Sequence, residues 1–319
     1  MARTGTADRR FGRVSSASES PAAQPRRRLA SAVLLLIAML WGSSYFMNKT
    51  LVGVMPAADI TAVRFSMSAV VLALVAPRAL RMSRRTALEG IAMGSAYGIA
   101  QLLLMFGLVH TSASVSGFLT GMYAVVTAVM VALILRRNPP ARVWISVGLA
   151  TAALGVLTLG GDGRGGFGIG ELLSVGAAIG FAAHIVLTDI FIDTDRVMSL
   201  AIAQTATVAV WALAMAAPGG ITLPHDGIQW TAIIYLGVLC GALTLFLQAW
   251  GQARVEASRA AVIMSSEPLW AAVFAVLVGQ ETLTARTLCG GALMMGAIWL
   301  AVRIPQLPRP GDPPRDDPR

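Results

Sequence analysis

The sequence predicts an all-α integral membrane protein, with ten transmembrane helices arranged as two inverted five-helix repeats. Composition, apolar stretches and an internal repeat each predict part of this fold. Hydrophobic residues make up 56% of the 319 residues and charged residues 13%, with a mean hydropathy of +0.69. Soluble domains carry about 25% charged residues, so the composition excludes an ordinary soluble protein.

Ten apolar stretches approach the length of about 20 residues that a helix needs to cross a bilayer. They cover roughly 29–50, 58–76, 87–108, 114–135, 142–160, 169–191, 198–217, 228–250, 258–278 and 285–303. Little sequence remains outside them, so we expect no separate soluble domain. Residues 1–28 and 305–319 are polar or proline-rich and are expected to be disordered cytoplasmic tails.

The net charge is +9, and the positive residues are distributed unevenly among the segments that connect these spans. Of the 25 Lys and Arg residues, 21 fall on one side of the ten-span arrangement and three on the other, with Arg64 inside a span. Positive residues concentrate on the cytoplasmic side of membrane proteins. The pattern therefore predicts an inner (plasma) membrane protein with both termini in the cytoplasm, and no nucleic-acid partner.

Residues 107–149 recur as residues 251–293, with nine identical pairs among 43. Five spans separate the copies, and because five is odd, the second copy must cross the membrane in the opposite sense. Inverted repeats are typical of transporters, whose substrate lies between the copies. We therefore predict a first repeat over 29–160 and a second over 161–304. A further shift of 140 residues aligns Trp41 with Phe181 and Arg64 with Gln204.

Spans 1 to 3 each carry polar side chains at helical spacing. Lipid offers such groups no hydrogen bonds, so they should face a cavity or another helix. Arg64 in span 2 could instead extend to water at the outer surface; its alignment with Gln204 favours the interior. The candidates in these spans are Trp41, Ser44 and Asn48 in span 1, Arg64 in span 2, and Tyr97 and Gln101 in span 3.

Span 4 carries a polar stripe of Ser112, Ser116, Thr120, Tyr123 and Thr127, in steps of 4, 4, 3 and 4 residues. This spacing keeps them on one side of a helix. For Ser112 and Ser116, a cavity and a hydrogen-bonded helix contact remain open alternatives. Tyr123 is too bulky for close helix contact, which favours the cavity.

In the second half, the candidates are His184 in span 6, Gln204 in span 7 and Gln248 in span 8, whereas Asp189 is expected in water near the end of span 6. The 144-residue shift carries Tyr123 onto Glu267, near the middle of span 9. A carboxylate there costs about 2.5 kcal/mol or more on insertion scales, which marks it as a functional candidate.

Pro268 follows Glu267 and removes a backbone donor, so a helix kink is predicted there. A purely structural role of Glu267 at this kink stays an open alternative.

Degenerate motifs occur in a defined order along residues 30–303. They are Leu40-Trp41-Gly42-Ser43-Ser44-Tyr45-Phe46, Arg64-Phe65, Thr111-Ser112-Ala113, Glu267-Pro268 and Gly279-Gln280-Glu281. In these motifs the chain resembles the drug/metabolite transporter (DMT) superfamily, specifically its EamA-type branch with ten helices.

The resemblance implies two inverted five-helix repeats around a central cavity with alternating access. It also implies a small-molecule substrate, such as a metabolite, amino acid or drug, and export as the direction. Two departures occur in the first half: Tyr123-Ala124 where a proline is common, and Leu135-Arg136-Arg137 in place of a Gly-x-Glu-like turn. We therefore expect the first repeat to be less kinked than the second.

The function predicted is secondary transport of a small molecule across a lipid bilayer. No P-loop motif occurs, so no ATP drive is predicted, and neither a cofactor nor a metal is expected. Proton coupling through Glu267 or His184, and a homodimer, stay open. The rivals are an intramembrane enzyme using His184, Asp189 and Glu267, and a non-transporting scaffold or sensor.

Overall fold

The computed structural model describes residues 23–111, 113–136, 139–158, 168–277 and 284–303, and these ranges contain helices and turns but no strand. The helices of the first half are α1 (Ala23–Val52), α2 (Ala57–Val75), α3 (Arg84–His110), α4 (Ala113–Gly121), α5 (Tyr123–Leu133) and α6 (Ala141–Thr158). Those of the second half are α7 (Ile169–Phe191), α8 (Val197–Ala216), α9 (Gly227–Ile234), a π-helix (Tyr235–Leu243), α10 (Thr244–Gln252), α11 (Ala257–Met264), α12 (Glu267–Leu277) and α13 (Ala285–Val302).

Six helical segments in the described ranges are long and apolar enough to cross a membrane. They lie on α1, α2, α3, α7 and α8, and on the continuous run from α9 through the π-helix to α10. The predicted spans 4 and 9 are each divided between two short helices, and spans 5 and 10 correspond to α6 and α13. An all-helical membrane protein is thus confirmed, whereas the count of ten spans stays a prediction.

Polar side chains and a glycine define several helix ends. Ser83 caps α3, its Oγ accepting a hydrogen bond from the Thr86 amide at 3.1 Å. Asp226 caps α9 in the same way, accepting from the Gln229 amide at 2.7 Å. Beyond α8, Gly220 adopts a φ of +77°, a left-handed conformation that glycine takes without steric cost.

Helix α3 packs along both α7 and α8, and α2 also packs along α8. Small residues bring these helices close together. A Cβ atom added to Gly94 of α3 would lie 2.4 Å from the Gln204 carbonyl oxygen of α8. Backbones can therefore approach here only because Gly94 has no side chain.

Two polar contacts join the ends of α3 to the second half. At one end, the Thr111 hydroxyl donates to Glu171 Oε1 at 2.5 Å. At the other end, Arg196 Nη1 donates to Glu89 Oε2 at 2.6 Å. Helix α3, which carries several of the predicted site residues, is thereby held at both ends.

The outer surface is strongly apolar. Large hydrophobic side chains such as Leu74, Val210 and Ile228 are exposed, by 75%, 63% and 83%. A soluble monomer rarely exposes many such side chains together. This surface therefore suits a bilayer, and the polar residues are directed inward.

Candidate functional site

A cavity lies among α1, α2, α3, α4, α5, α7, α10, α11 and α12, and its unfilled space is about 650 Å³ when the part open to solvent is included. The structure brings eleven of the thirteen predicted binding residues to it. These are Trp41, Ser44, Asn48, Arg64, Tyr97, Gln101, Thr120, Tyr123, His184, Gln248 and Glu267.

Arg64 lies on the cavity wall and is only 4% exposed. Its Nη1 donates to Asn48 Oδ1 at 3.1 Å, and its guanidinium lies 4.6 Å from the centre of the Phe65 ring. The Nε–H group is buried without an acceptor, and no carboxylate within the described residues pairs with Arg64. Arg64 thus lies in the interior rather than at the outer surface, and its guanidinium has no counter-ion among the residues that the structure describes.

Glu267 is the first residue of α12 and also lines the cavity. Its carboxylate makes no hydrogen bond and no ion pair within the described part of the chain. Tyr97 and Arg64 line the same cavity. The cavity thus holds a guanidinium and a carboxyl group that do not pair with each other.

Aromatic rings form one wall of the cavity around Tyr97. The Tyr97 ring centroid lies 6.5 Å from Trp41, 5.3 Å from Phe181 and 4.9 Å from His184. The Phe181 and His184 contacts have the edge-to-face geometry that aromatic pairs favour. The wall is therefore a packed surface against which an apolar part of a ligand could lie.

The Trp41 indole also contacts the π-helix. Its Nε1–H group lies 3.2 Å from the Cys240 carbonyl oxygen and 3.1 Å from Thr244 Oγ1. Helical segments of this type are rare and are frequently found at functional sites. The sequence did not predict this element, because inserting one residue per turn leaves no mark in a uniformly apolar stretch.

Two of the thirteen residues lie outside the cavity wall. Gln204 is 1% exposed, and its Oε1 accepts a hydrogen bond from His184 Nε2 at 2.9 Å. It therefore holds His184, which does line the cavity, in position. Ser116 is hydrogen-bonded to Ser174 of α7 at 2.9 Å, so of the two alternatives for this residue the structure has the contact between helices.

Two other residues discussed from the sequence have different outcomes. Ser112 lies outside the described residues. Asp189 was expected in water, but its side chain is buried, at 6% exposure.

The helix interruption before Glu267 has a counterpart before Tyr123. In the second half, the Ser266 amide donates to the Ile263 carbonyl, and the Leu269 and Trp270 amides donate to the Ser266 carbonyl. The same three bonds occur 144 residues earlier, from Met122 to Leu119 and from Val125 and Val126 to Met122. The expected difference in kinking is thus not found in the hydrogen-bond pattern, although the first half has no proline there.

Five apolar lining residues were not identified from the sequence: Leu104, Met105, Leu108, Ile185 and Met264. A polar residue in a span must avoid lipid, but an apolar one can face either lipid or the cavity. Spacing offered a signal for two of them, because Leu104 and Leu108 continue the helical face that begins with Tyr97 and Gln101.

The model of the EamA-like transporter family matches residues 28–159 and again residues 168–303. The chain belongs to this family. The EamA family is part of the DMT superfamily, so the resemblance drawn from the motifs is confirmed.

An uncharacterized transporter of Archaeoglobus fulgidus is 27% identical to this EamA-family chain over 277 residues, or 86% of this chain and 85% of the relative. A solved structure, titled only as the crystal structure of a protein, matches with a TM-score of 0.72 at 16% identity, covering 89% of this chain and 97% of its own. The structural likeness supports the fold. The family and the relative point to a multi-pass membrane transporter rather than an enzyme.

Proposed function

We propose that this EamA-family protein moves a small polar solute across the inner membrane, through the cavity around Arg64 and Glu267. The observation that carries the proposal is two ionisable groups that face one cavity without a charged partner in the described protein. A membrane scaffold gains nothing from such groups, because ionisable residues inside a membrane are expensive. A polar solute in the cavity would supply the missing partners.

Alternating access between two inverted five-helix repeats, over 29–160 and 161–304, is the proposed mechanism. Two observations support it. The family model matches the chain twice, once in each half. The hydrogen bonds at Met122 recur at Ser266, so both copies contain a half-helix that begins beside the cavity. Rocking of one repeat against the other would open the cavity to each side in turn.

The distribution of 21 of 25 cationic residues on one side supports cytoplasmic termini. Export is the direction that the family resemblance favours. Proton coupling would use Glu267, since a carboxyl group on the cavity wall can take up a proton on one side and release it on the other.

The test is transport by purified protein in proteoliposomes, over a metabolite panel, with and without a pH gradient. A matched pair of variants separates the cavity from general damage. Thr120→Trp places a large ring in the cavity and should abolish flux. Ile228→Trp adds the same ring to the exposed surface and should leave flux unchanged. Equal flux through the Thr120→Trp and unmodified proteins would contradict the proposed route.

A further inference from the structure

Arg64 has few hydrogen-bond acceptors in the part of the chain that the structure describes. Inside a bilayer, a buried guanidinium normally pairs with a carboxylate or with several hydrogen-bond acceptors. Here it has one amide oxygen, from Asn48, and the face of Phe65. Its Nε–H has no acceptor among the described residues, which leaves at least one strong donor there without a bond.

The fold itself does not require a cation at this position. The 140-residue shift aligns Arg64 with Gln204, which is also buried and is hydrogen-bonded to His184. Each residue joins the second span of its half to the first through one side-chain hydrogen bond. Since a neutral amide performs that structural task in one half, the charge in the other half has a separate use.

We infer that the Arg64 guanidinium binds an anionic group, a carboxylate or a phosphate, of the transported solute. This inference rests on the proposed function, because it assigns one subsite of the same cavity. A guanidinium suits both groups, since its planar set of N–H donors matches their paired oxygens. The aromatic wall around Tyr97 and Phe181 would accommodate an apolar part of the same molecule.

Four probes that share a phenyl ring test this subsite by isothermal titration of the purified full-length protein in detergent. Phenylacetate and phenyl phosphate carry the two anionic groups, 2-phenylethanol is neutral, and 2-phenylethylamine is a cation. We expect the wild-type protein to bind one or both anions more tightly than the alcohol and the amine. The relative affinity of the two anions shows which group the site prefers.

Two variants remove the subsite in different ways. Arg64→Gln should weaken anion binding by roughly ten- to a hundred-fold, because hydrogen bonds to charged groups are lost. It should leave binding of the alcohol unchanged. Asn48→Asp retains Arg64 but places a carboxylate at hydrogen-bond distance, so an internal ion pair would compete with the ligand. If Arg64→Gln does not fold, the anion affinity of Asn48→Asp tests the subsite instead. Arg78→Gln, in an exposed turn, is the matched control and should bind as the wild type does.

No preference for anions in the wild-type protein, or an unchanged preference in Arg64→Gln or Asn48→Asp, would overturn the inference. The two proposals fail separately. Transport in proteoliposomes without anion preference would contradict the Arg64 subsite alone. Anion binding through Arg64 without transport of any solute would contradict the proposed function alone.

Discussion

The two halves of the molecule solve the same structural problem with different chemistry. In the first half, α1 and α2 are joined by Asn48 and Arg64 at 3.1 Å. In the second, α7 and α8 are joined by His184 and Gln204 at 2.9 Å. A hydrogen bond to the uncharged amide of Gln204 is enough to join two such helices, so the first half carries a charge that packing alone does not explain.

A second contrast concerns the half-helices that begin beside the cavity. Tyr123 and Glu267 follow the same pattern of backbone hydrogen bonds, 144 residues apart, and both line the cavity. The backbone interruption therefore does not depend on the side chain at this position. The comparison teaches that both halves have the same break, whereas the side chain that follows it differs, a phenol in one half and a carboxyl group in the other.

The largest expected effect distinguishes these two side chains. Glu267→Gln preserves the shape of the side chain but removes the ionisable carboxyl group, and should lower the initial transport rate by about ten- to a hundred-fold. Tyr123→Phe removes one neutral hydroxyl and should lower the rate by only about two- to tenfold. The measurement is flux in proteoliposomes of whichever solute the unmodified protein moves fastest, with circular dichroism as the check on folding.

The same pair of variants tests proton coupling. If Glu267 carries the proton, the response of transport to a pH gradient should disappear in Glu267→Gln and persist in Tyr123→Phe. Normal transport by Glu267→Gln across the pH range would remove both the binding role and the coupling role from this residue.

The polar half of the candidate site could be predicted from the sequence because a bilayer leaves a polar side chain few options. Residues such as Gln101 and Gln248 cannot face lipid without losing hydrogen bonds, so helical spacing alone indicates an inward face. The apolar lining could not be predicted in this way, since Met264 or Ile185 would be equally stable against lipid or against the cavity. Asp189 was assigned wrongly to water because nearness to a span end says nothing of which neighbours cover a side chain.

The helix interruptions show a different limit of sequence reasoning. Pro268 led us to expect a kink in the second half, and its absence at Ala124 led us to expect a straighter first half. The structure has the same bonds at Met122 and Ser266, so proline is not their cause. Pro268 is tolerated there because the first turn of a helix needs no donor at that position.

Gly42 provides the next prediction, on how α1 meets the start of α12. A Cβ atom at Gly42 would lie 2.7 Å from both the Glu267 carbonyl oxygen and Trp270 Cβ. The 140-residue shift aligns Gly42 with Ala182, which is fully buried. Gly42→Ala should therefore destabilise the protein by about 1–3 kcal/mol through overpacking, and displace Glu267.

The reciprocal change, Ala182→Gly, should cost only about 0.5–1 kcal/mol, the usual penalty of glycine within a helix. Thermal unfolding in detergent measures both changes. If Gly42→Ala proves as stable as Ala182→Gly, then α1 and α12 do not meet as closely as the structure has them.

The smallest effect lies within the predicted stripe of span 4. Ser174 donates its one hydroxyl hydrogen to the Gly170 carbonyl at 2.8 Å, so Ser116 must be the donor in the 2.9 Å contact between the two serines. Hydrogen bonds between transmembrane helices are worth about 0.6 kcal/mol on average. Replacing Ser116 and Ser174 by alanine, singly and together, should give a coupling energy of about that size.

Transport by both serine variants should stay near that of the unmodified protein, because neither serine lines the cavity. Thr120, one helical turn beyond Ser116, does line it, and its buried Oγ1 has no partner among the described residues. Thr120→Val should therefore change transport more than stability, the reverse of the serine variants. Equal effects on transport along the stripe would mean that span 4 acts as one surface, and that its division into a helix contact and a cavity wall has no functional meaning.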